Sequence, residues 1–439
     1  MRNPAENDTV GGRRPERGMD READESMIKN KALIDRFLRY AAIDTQSSEG
    51  TGTVPSTMKQ HDLAKVLYEE LLEMGASEVV YDRENCVVYA KIPEVPSLEN
   101  SGEDPYAACG IGFVSHMDTS MACSGADVKP RFLYDYDGTD PLGMLSPEEF
   151  PELKRHIGED LIATDGNTLL GADDKAGVAE IMTMAEYFLT HPEVPHRPVC
   201  IAFTSDEEIG CGVDHFDVKQ FGAHEAYTVD GSAFGAVEYE TFNAAAARIT
   251  VTGRSIHPGS AKGLMKNASI IAMEYNGLLP EKERPEHTEG REGFYMLMDM
   301  HSNCEKAFMK YIIRDHDDRI FEERKKKAAE AAETLNRKYG EGTVKAEIKD
   351  TYYNMARVLK DHMEPVRTAE KAIRSLGRTP VSEPVRGGTD GSRLTFMGVL
   401  CPNLGTGGYN YHSRFEYASV QEMELCAETL IRIAGDSGQ

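Results

Sequence analysis

Short apolar runs that end in acidic or histidine residues are the feature that most restricts the folds open to this chain. Three of them, 111–115, 199–204 and 226–229, have the length and composition of buried strands, and polar residues follow each run. In an open α/β sheet the carboxyl ends of parallel strands lie along one edge, where binding sites form. The pattern therefore predicts an α/β protein with its functional side chains at that edge.

The polar clusters contain the side chains that hold a pair of divalent metal ions. They are His116-Met117-Asp118, Asp173-Asp174-Lys175, Asp206-Glu207-Glu208, Asp230 and His412. Zinc binds imidazole and carboxylate groups, one carboxylate can bridge two ions, and another that stays off the ions can move protons. The clusters therefore predict a two-metal hydrolase.

The net charge argues against two classes of partner. The chain has 49 basic and 74 acidic residues, which give a formal net charge of −25 at pH 7. A phosphate backbone and an anionic membrane surface would both repel such a protein. We therefore expect neither a nucleic-acid partner nor a membrane partner.

The cysteines and the start of the chain indicate a cytoplasmic protein. Eight cysteines are scattered singly, without a Cys-x-x-Cys pair, as is typical of reduced thiols. The chain start has no apolar signal-peptide core, and no later stretch has the length of a membrane span. Residues 1–26 are rich in charged residues and have almost no large apolar side chain, so we expect a disordered extension there.

The order of helices and strands predicts two domains, as expected for a chain of 439 residues. Helix-period segments at 60–74 and 176–189 alternate with the strand-like runs, which favours a mostly parallel sheet covered by helices on both faces. Between 242 and 354 the order becomes β-α-β-β-α-β, as in a ferredoxin-like unit. We predict a catalytic domain of residues 27–241 and 355–439, with residues 242–354 as an inserted domain.

Six short motifs occur in an order that is far more specific than any one of them. They are SHMDTS at 115–120, LLGADDKAG at 169–177, FTSDEEIG at 203–210, YTVDG at 227–231, RGGTDG at 386–391 and GGYNYH at 407–412. In this order they resemble the M20 family of co-catalytic zinc peptidases. The resemblance extends from Met27 to the end of the chain, and it implies an α/β zinc-peptidase domain with an inserted lid and dimerisation domain.

The resemblance also implies a role for each metal ligand. Asp173 would bridge two zinc ions, His116 and Asp230 would complete the first site, and Glu208 and His412 would complete the second. The implied cofactor is two Zn²⁺ per subunit, and such a ligand set also accepts Co²⁺ or Mn²⁺. The implied assembly is a homodimer.

Two further acidic residues have predicted catalytic roles. Asp118 lies two residues beyond His116, on the same side of an extended chain, where its carboxylate could accept the imidazole N–H. It could instead cap a helix, because Thr119 and Ser120 follow it. Glu207 would be the carboxylate that stays off the metals and acts as general base and then general acid.

Three residues of the inserted domain resemble the family's substrate-binding set: His257, Arg314 and Asn354. Arg314 could hold the C-terminal carboxylate of a peptide with a pair of hydrogen bonds. His257 and Asn354 could donate to the oxyanion that forms at the attacked carbonyl. On a lid, these residues would exclude water when the lid closes.

The substrate implied by the resemblance is a small peptide, and the implied reaction is release of the N-terminal residue from a tripeptide. The alternatives are a related M20 hydrolase, such as a dipeptidase, a carboxypeptidase or an N-acyl amino acid deacylase, or an inactive binding protein. An aminopeptidase should require a free α-ammonium group, whereas a deacylase should accept a blocked amine. The intact ligand set and Glu207 argue against the inactive protein.

Overall fold

A mixed seven-stranded sheet forms the centre of the larger part of the molecule. The computed structural model describes residues 30–96 and 110–435, so the extension predicted at 1–26 lies outside the described residues. With strands numbered in chain order, the sheet runs β1 (Ser77–Asp82), β2 (Val87–Ile92), β6 (Val199–Thr204), β3 (Gly110–His116), β7 (Ala223–Gly231), β13 (Asn403–Gly405) and β8 (Val237–Glu238). The pairs β6–β3, β3–β7 and β7–β13 are parallel and the outer pairs are antiparallel. This arrangement confirms the predicted α/β class.

Helices cover both faces of this sheet. On one face lie α1 (Lys31–Ala41), α2 (Gln60–Met74), α3 (Ala172–Thr190), α8 (Glu364–Ser375) and α10 (Val420–Gly435), and on the other the short α4 (Val218–Phe221) and α9 (Asp390–Phe396). The short α7 (Ala356–Leu359) contacts α9. The helix α2 begins and ends where its apolar period predicts. It ends at Met74 because Gly75 adopts the left-handed conformation (φ 88°) that stops a helix. None of the described helices is long and apolar enough to cross a membrane.

A separate antiparallel sheet forms the second part of the structure. Its order is β10 (Phe294–Ser302), β11 (Lys306–Asp315), β9 (Asn243–Thr252) and β12 (Val344–Tyr352), with α5 (Ala268–Leu278) and α6 (Asp318–Tyr339) packed on one face around their own apolar core. The chain order β-α-β-β-α-β and this strand order are those of the predicted ferredoxin-like unit. The boundaries proposed for the inserted domain, 242 and 354, remain a prediction.

The structure contains a third, smaller sheet that the sequence analysis did not predict. Its antiparallel order is β14 (Gly408–Tyr409), β15 (Tyr417–Ser419), β5 (Leu161–Ala163) and β4 (Arg131–Leu133). Strands of two or three residues are too short to show the alternation that identifies a strand. The sheet matters for function because the β14–β15 connection carries His412 and Glu416.

Gly177 sets how closely α3 approaches β7. A Cβ at this position would collide with the carbonyl oxygen of Val229, and it would stand 2.6 Å from Asp174 Oδ1. We expect Gly177→Ala to lower the free energy of unfolding by about 1–3 kcal/mol, because overpacking displaces the helix. Gly277, an exposed residue of α5 with no atom within 4 Å of its would-be Cβ, is the matched control. Gly277→Ala should raise stability slightly, and equal thermal unfolding shifts for the two variants would contradict this account.

Candidate metal centre

The centre forms at one edge of the large sheet, where the parallel strands β6, β3 and β7 end side by side. His116 is the last residue of β3, and Asp230 lies near the end of β7. Glu208 lies in a 3₁₀ turn that follows β6. Asp173 lies in the first turn of α3, and His412 lies in the β14–β15 connection. The structure thus brings the five predicted ligands to one place.

The Asp173 carboxylate stands between two groups of ligands. Its Oδ1 atom lies 3.0 Å from His116 Nε2, which in turn lies 3.3 Å from Asp230 Oδ1. Its Oδ2 atom lies 3.1 Å from His412 Nε2, which lies 2.9 Å from Glu208 Oε2. One oxygen of Asp173 therefore faces each group, as a bridging carboxylate requires.

The donor set fits divalent cations. His116, Asp173 and Glu208 offer ligand atoms within 4.8 Å of one another, and His116, Glu207 and Asp230 form a second such group. Within the described part of the chain, the buried Glu208 Oε1 atom has no hydrogen-bond partner. A buried polar atom without a partner costs free energy, which a bound cation would recover. The geometry is that of a dinuclear centre.

The electrostatics of the side chains lead to the same conclusion. Burial raises the pKa of Glu208 to about 7 and the pKa of Asp230 to about 6. Against the effect of burial, hydrogen bonds from His116 and His412 hold the pKa of Asp173 below its usual range. Hydrogen bonds to Asp173 and Glu208 raise the pKa of His412 to about 10. These buried acids repel one another, and a divalent cation would remove that repulsion.

Asp118 fixes two parts of the centre. His116 Nδ1 lies 3.0 Å from the main-chain oxygen of Asp118 and 3.4 Å from its carboxylate Oδ1. The same carboxylate accepts hydrogen bonds from the N–H groups of Glu207 (3.0 Å) and Glu208 (3.2 Å). Residues 117–130 contain no helix, so the alternative that Asp118 caps a helix is wrong. The turn that Asp118 holds is instead the one that carries both glutamates.

Glu416 holds Asp173 in place, and no sequence pattern predicted this role. Its Oε2 atom accepts hydrogen bonds from the N–H groups of Leu170 (2.7 Å) and Gly171 (2.8 Å), and its Oε1 atom accepts one from Asp173 (3.0 Å). The residue is buried, and burial raises its pKa to about 7. A single acidic residue in a loop has no pattern from which this role could be predicted.

Asp174 contacts β3. Its Oδ2 atom accepts hydrogen bonds from the N–H group of His116 (3.2 Å) and from the Ser115 hydroxyl. The peptide bond between Asp173 and Asp174 is cis. Asp173 contacts both ligand groups, whereas Asp174 holds β3, the strand that ends in His116.

Sequence and structure comparisons identify the family. A peptidase T from Caldanaerobacter subterraneus subsp. tengcongensis is 50% identical over 407 residues, which cover 91% of this chain and 97% of that protein. The chain belongs to the peptidase T branch of the M20 family. Residues 239–343 match the model of the M20 peptidase dimerisation domain. The enzyme is therefore an M20 metallopeptidase.

Solved structures share the fold. Aminopeptidase PepT from Bacillus cereus superposes with a TM-score of 0.72 at 22% identity, covering 94% of this chain and 100% of the other. A tripeptidase from Staphylococcus aureus superposes with a TM-score of 0.73 at 20% identity, covering 93% of this chain and 98% of the other. Both likenesses extend over the catalytic sheet and the inserted sheet.

The predicted substrate-binding residues of this M20 enzyme lie in different surroundings. His257 is exposed, and its Nδ1 atom accepts a hydrogen bond from the N–H group of Gly259 (3.2 Å). Arg314 lies on β11 and faces away from the helices. Asn354 is buried at the junction of the two parts, where its amide bonds Thr241 N and His316 O. Among the contacts of the described residues, none joins these three side chains to one another.

A third group of potential ligands has an explanation without a metal. His156, Glu159 and Glu422 offer ligand atoms within 4.8 Å of one another. The Nδ1 atom of His156 lies 2.7 Å from Glu159 Oε2, and the Tyr409 hydroxyl donates to Glu422 Oε2 at 2.6 Å. The His156 ring packs against the Tyr409 ring with centroids 4.7 Å apart. These contacts tie the small third sheet to α10.

We expect Glu416→Gln to weaken metal binding by about 10- to 100-fold, because removing the support of a ligand has an effect of this size. The glutamine amide cannot accept all three N–H groups, so Asp173 would lose its fixed position. Titration of the metal-free protein with Zn²⁺ measures the change. Glu428→Gln, at an exposed ion pair with Arg432, is the control. Equal affinities for the two variants would contradict the role of Glu416.

Proposed function

We propose that this enzyme releases the N-terminal residue from tripeptides and uses two Zn²⁺ per subunit. The observation that carries the proposal is the Asp173 carboxylate, which presents one oxygen to each ligand group. The relatives named peptidase T support the substrate class. Buried free thiols such as Cys86 and Cys401 support a location in the reducing cytoplasm.

Zinc is the proposed ion because both groups combine imidazole nitrogen and carboxylate oxygen and contain no thiolate. His116, Asp173 and Asp230 would hold one ion, and Asp173, Glu208 and His412 would hold the other. Co²⁺ and Mn²⁺ suit the same ligands, since selectivity among these ions depends on geometry and supply. Bound ions would polarise the scissile carbonyl and lower the pKa of the attacking water toward about 7.

Glu207 moves the proton. Its carboxylate shares a group with His116 and Asp230 but is not needed to complete either ion's set of ligands. Burial and the charge of Asp230 raise the pKa of Glu207 above its usual range. In our proposal Glu207 takes a proton from the attacking water and returns it to the leaving amine nitrogen. Asp118 positions the turn that carries it.

The inserted domain would bind the rest of the peptide. Arg314 would pair with the C-terminal carboxylate, and His257 would donate to the oxyanion after lid closure. The assignment of Asn354 to the oxyanion rests on the family resemblance, because its amide already bonds main-chain groups in this structure. A closed lid would bring His257 toward the metal centre.

Glu207→Gln should leave metal content unchanged and lower turnover of a free tripeptide by roughly 10²- to 10⁴-fold, since a positioned general base contributes about that much. Metal analysis and steady-state kinetics measure the two effects. Glu323→Gln, on the exposed side of α6, is the control. A variant with full metal content and wild-type turnover would remove Glu207 from the mechanism.

The substrate class is tested with a free tripeptide, the matching dipeptide, a longer peptide and the N-acetylated tripeptide. Metal-dependent release of the first residue from the free tripeptide, with poor turnover of the other three, supports the proposal. Preference for the acetylated peptide would identify a deacylase, and preference for the dipeptide would identify a dipeptidase. Either preference would overturn the substrate assignment and leave the metal centre in place.

We also propose a homodimer formed through the inserted domain, which matches the dimerisation-domain model. The strand β10 lies at the edge of its sheet, and three consecutive residues on it, Met296, Leu297 and Met298, are exposed. An edge strand with unpaired main-chain groups and apolar side chains readily pairs with another chain. A second copy would satisfy both features.

Met298→Glu should convert the dimer to a monomer, because a charge would be buried against the partner. Sedimentation velocity at micromolar concentration measures the mass, which should be twice 48.6 kDa for the wild type. Leu142→Glu changes an equally exposed apolar residue of the catalytic part and should remain a dimer. A wild-type monomer, or a dimer unchanged by Met298→Glu, would contradict this interface.

A further inference from the structure

Tyr352 joins the inserted sheet to the loop beside the metal centre. It is the last residue of β12, and its ring packs against Gly388, where a Cβ would stand 2.6 Å from the ring Cζ atom. Asp390 lies two residues after Gly388, and its carboxylate accepts a hydrogen bond from the Thr204 hydroxyl at 2.8 Å. Thr204 pairs with His116 across β6 and β3. The phenol end of Tyr352 is therefore close to the edge where the ligands gather.

Arg314 and Tyr352 belong to one row of the inserted sheet. Ala244 pairs with Arg314 on one side and with Tyr352 on the other, so all three side chains lie on the same face of the sheet. That face is opposite the helices α5 and α6. The small methyl group of Ala244 leaves space for the Arg314 side chain to cross it, and the guanidinium carbon lies 5.4 Å from the centre of the Tyr352 ring.

This stacking leaves hydrogen-bonding capacity on both side chains. The hydrogen bonds of Arg314 to the main-chain oxygens of Ile313 (3.1 Å) and Ala245 (3.4 Å) use only Nη1 within the described part of the chain. The remaining N–H groups of Arg314, one of which also faces the Tyr352 hydroxyl, can therefore serve a ligand. Burial raises the pKa of Tyr352, so its hydroxyl keeps its proton and can donate.

We propose that Tyr352 and Arg314 form a two-residue receptor for the C-terminal carboxylate of the peptide, in which the Tyr352 hydroxyl donates one hydrogen bond and the guanidinium donates the others. The inference rests on the proposed tripeptidase function and adds a residue that fixes specificity. Stacking on Tyr352 holds the guanidinium in one orientation before substrate binds, which reduces the entropy lost on binding. Packing against Gly388 fixes the ring relative to the metal centre.

A fixed receptor of this kind measures peptide length. Adding or removing one residue moves the carboxylate of an extended peptide by about 3.3–3.6 Å relative to the attacked carbonyl. Hydrogen bonds tolerate a displacement of only about 0.5 Å, so a dipeptide or a tetrapeptide would not reach the receptor and the metal centre together. The receptor accounts for the selection of tripeptides without a steric block at the end of the binding cleft.

The test compares Tyr352→Phe with Tyr353→Phe in the metal-loaded enzyme. Tyr353 is the matched control because its hydroxyl bonds the exposed Asp350 carboxylate. Each variant is assayed with a tripeptide and with the same tripeptide as its C-terminal amide. Tyr352→Phe should raise the KM for the free acid about 10- to 100-fold, as expected for a hydrogen bond to a charged group, with little change in kcat. The KM for the amide should not change.

A binding measurement separates this inference from the proposed activity. Calorimetry of the intact tripeptide on metal-loaded Glu207→Gln protein, with and without the added Tyr352→Phe change, reports affinity without turnover. Weaker binding of the acid but not of the amide supports the receptor even if the wild type hydrolyses tripeptides poorly. Equal affinities with and without Tyr352→Phe, or equal losses for acid and amide, would overturn it.

Ala244→Val provides an independent variant that leaves the phenol intact. The added methyl groups would block the path of the Arg314 side chain across β9. The expected result is the same selective loss of affinity for the free acid, while circular dichroism shows a folded protein. If a folded Ala244→Val protein binds acid and amide as the wild type does, the stacked arrangement of Arg314 on Tyr352 is not what binds the carboxylate.

Discussion

The rest of the structure depends on the contacts of the Asp173 carboxylate, which presents one oxygen to each ligand group. The parallel strands bring His116 and Asp230 to the sheet edge, and the β14–β15 connection of the small third sheet brings His412 to the same place. Burying several acids so close together is unfavourable unless cations bind between them. Glu416 holds Asp173 in place and Asp118 holds the turn that carries Glu207 and Glu208, so the acids stay close together, and bound cations would stabilise this arrangement.

The large sheet, and the edge at which the five candidate ligands come together, could be predicted because both leave strong local signals. The apolar run 199–204 coincides with β6, and the helical period of 60–74 coincides with α2. The order of the four strands and two helices of the inserted sheet was predicted correctly as well. Histidines and acids directly after buried strands point to one edge, because strand direction alone determines where they meet.

Other parts of the site depend on contacts between segments distant in sequence. Glu416 reaches Asp173 across 243 positions, and nothing near Glu416 shows that its carboxylate faces a helix start. The prediction for Asp118 named the correct neighbour but missed that its carboxylate also holds the glutamate turn. The sequence pattern pointed to Asn354 and not to its neighbour Tyr352, because only the sheet register shows which of these residues shares a face with Arg314.

In the proposed reaction both domains contribute to a single site, with the chemistry at the sheet edge and the peptide end held by the inserted sheet. The central claim is that Asp173 bridges two ions. Anomalous diffraction from crystals of the zinc-loaded enzyme tests it most directly. The account predicts two peaks about 3.5–4 Å apart, one beside each oxygen of Asp173. A single peak, or two peaks with Asp173 bound to neither, would contradict it.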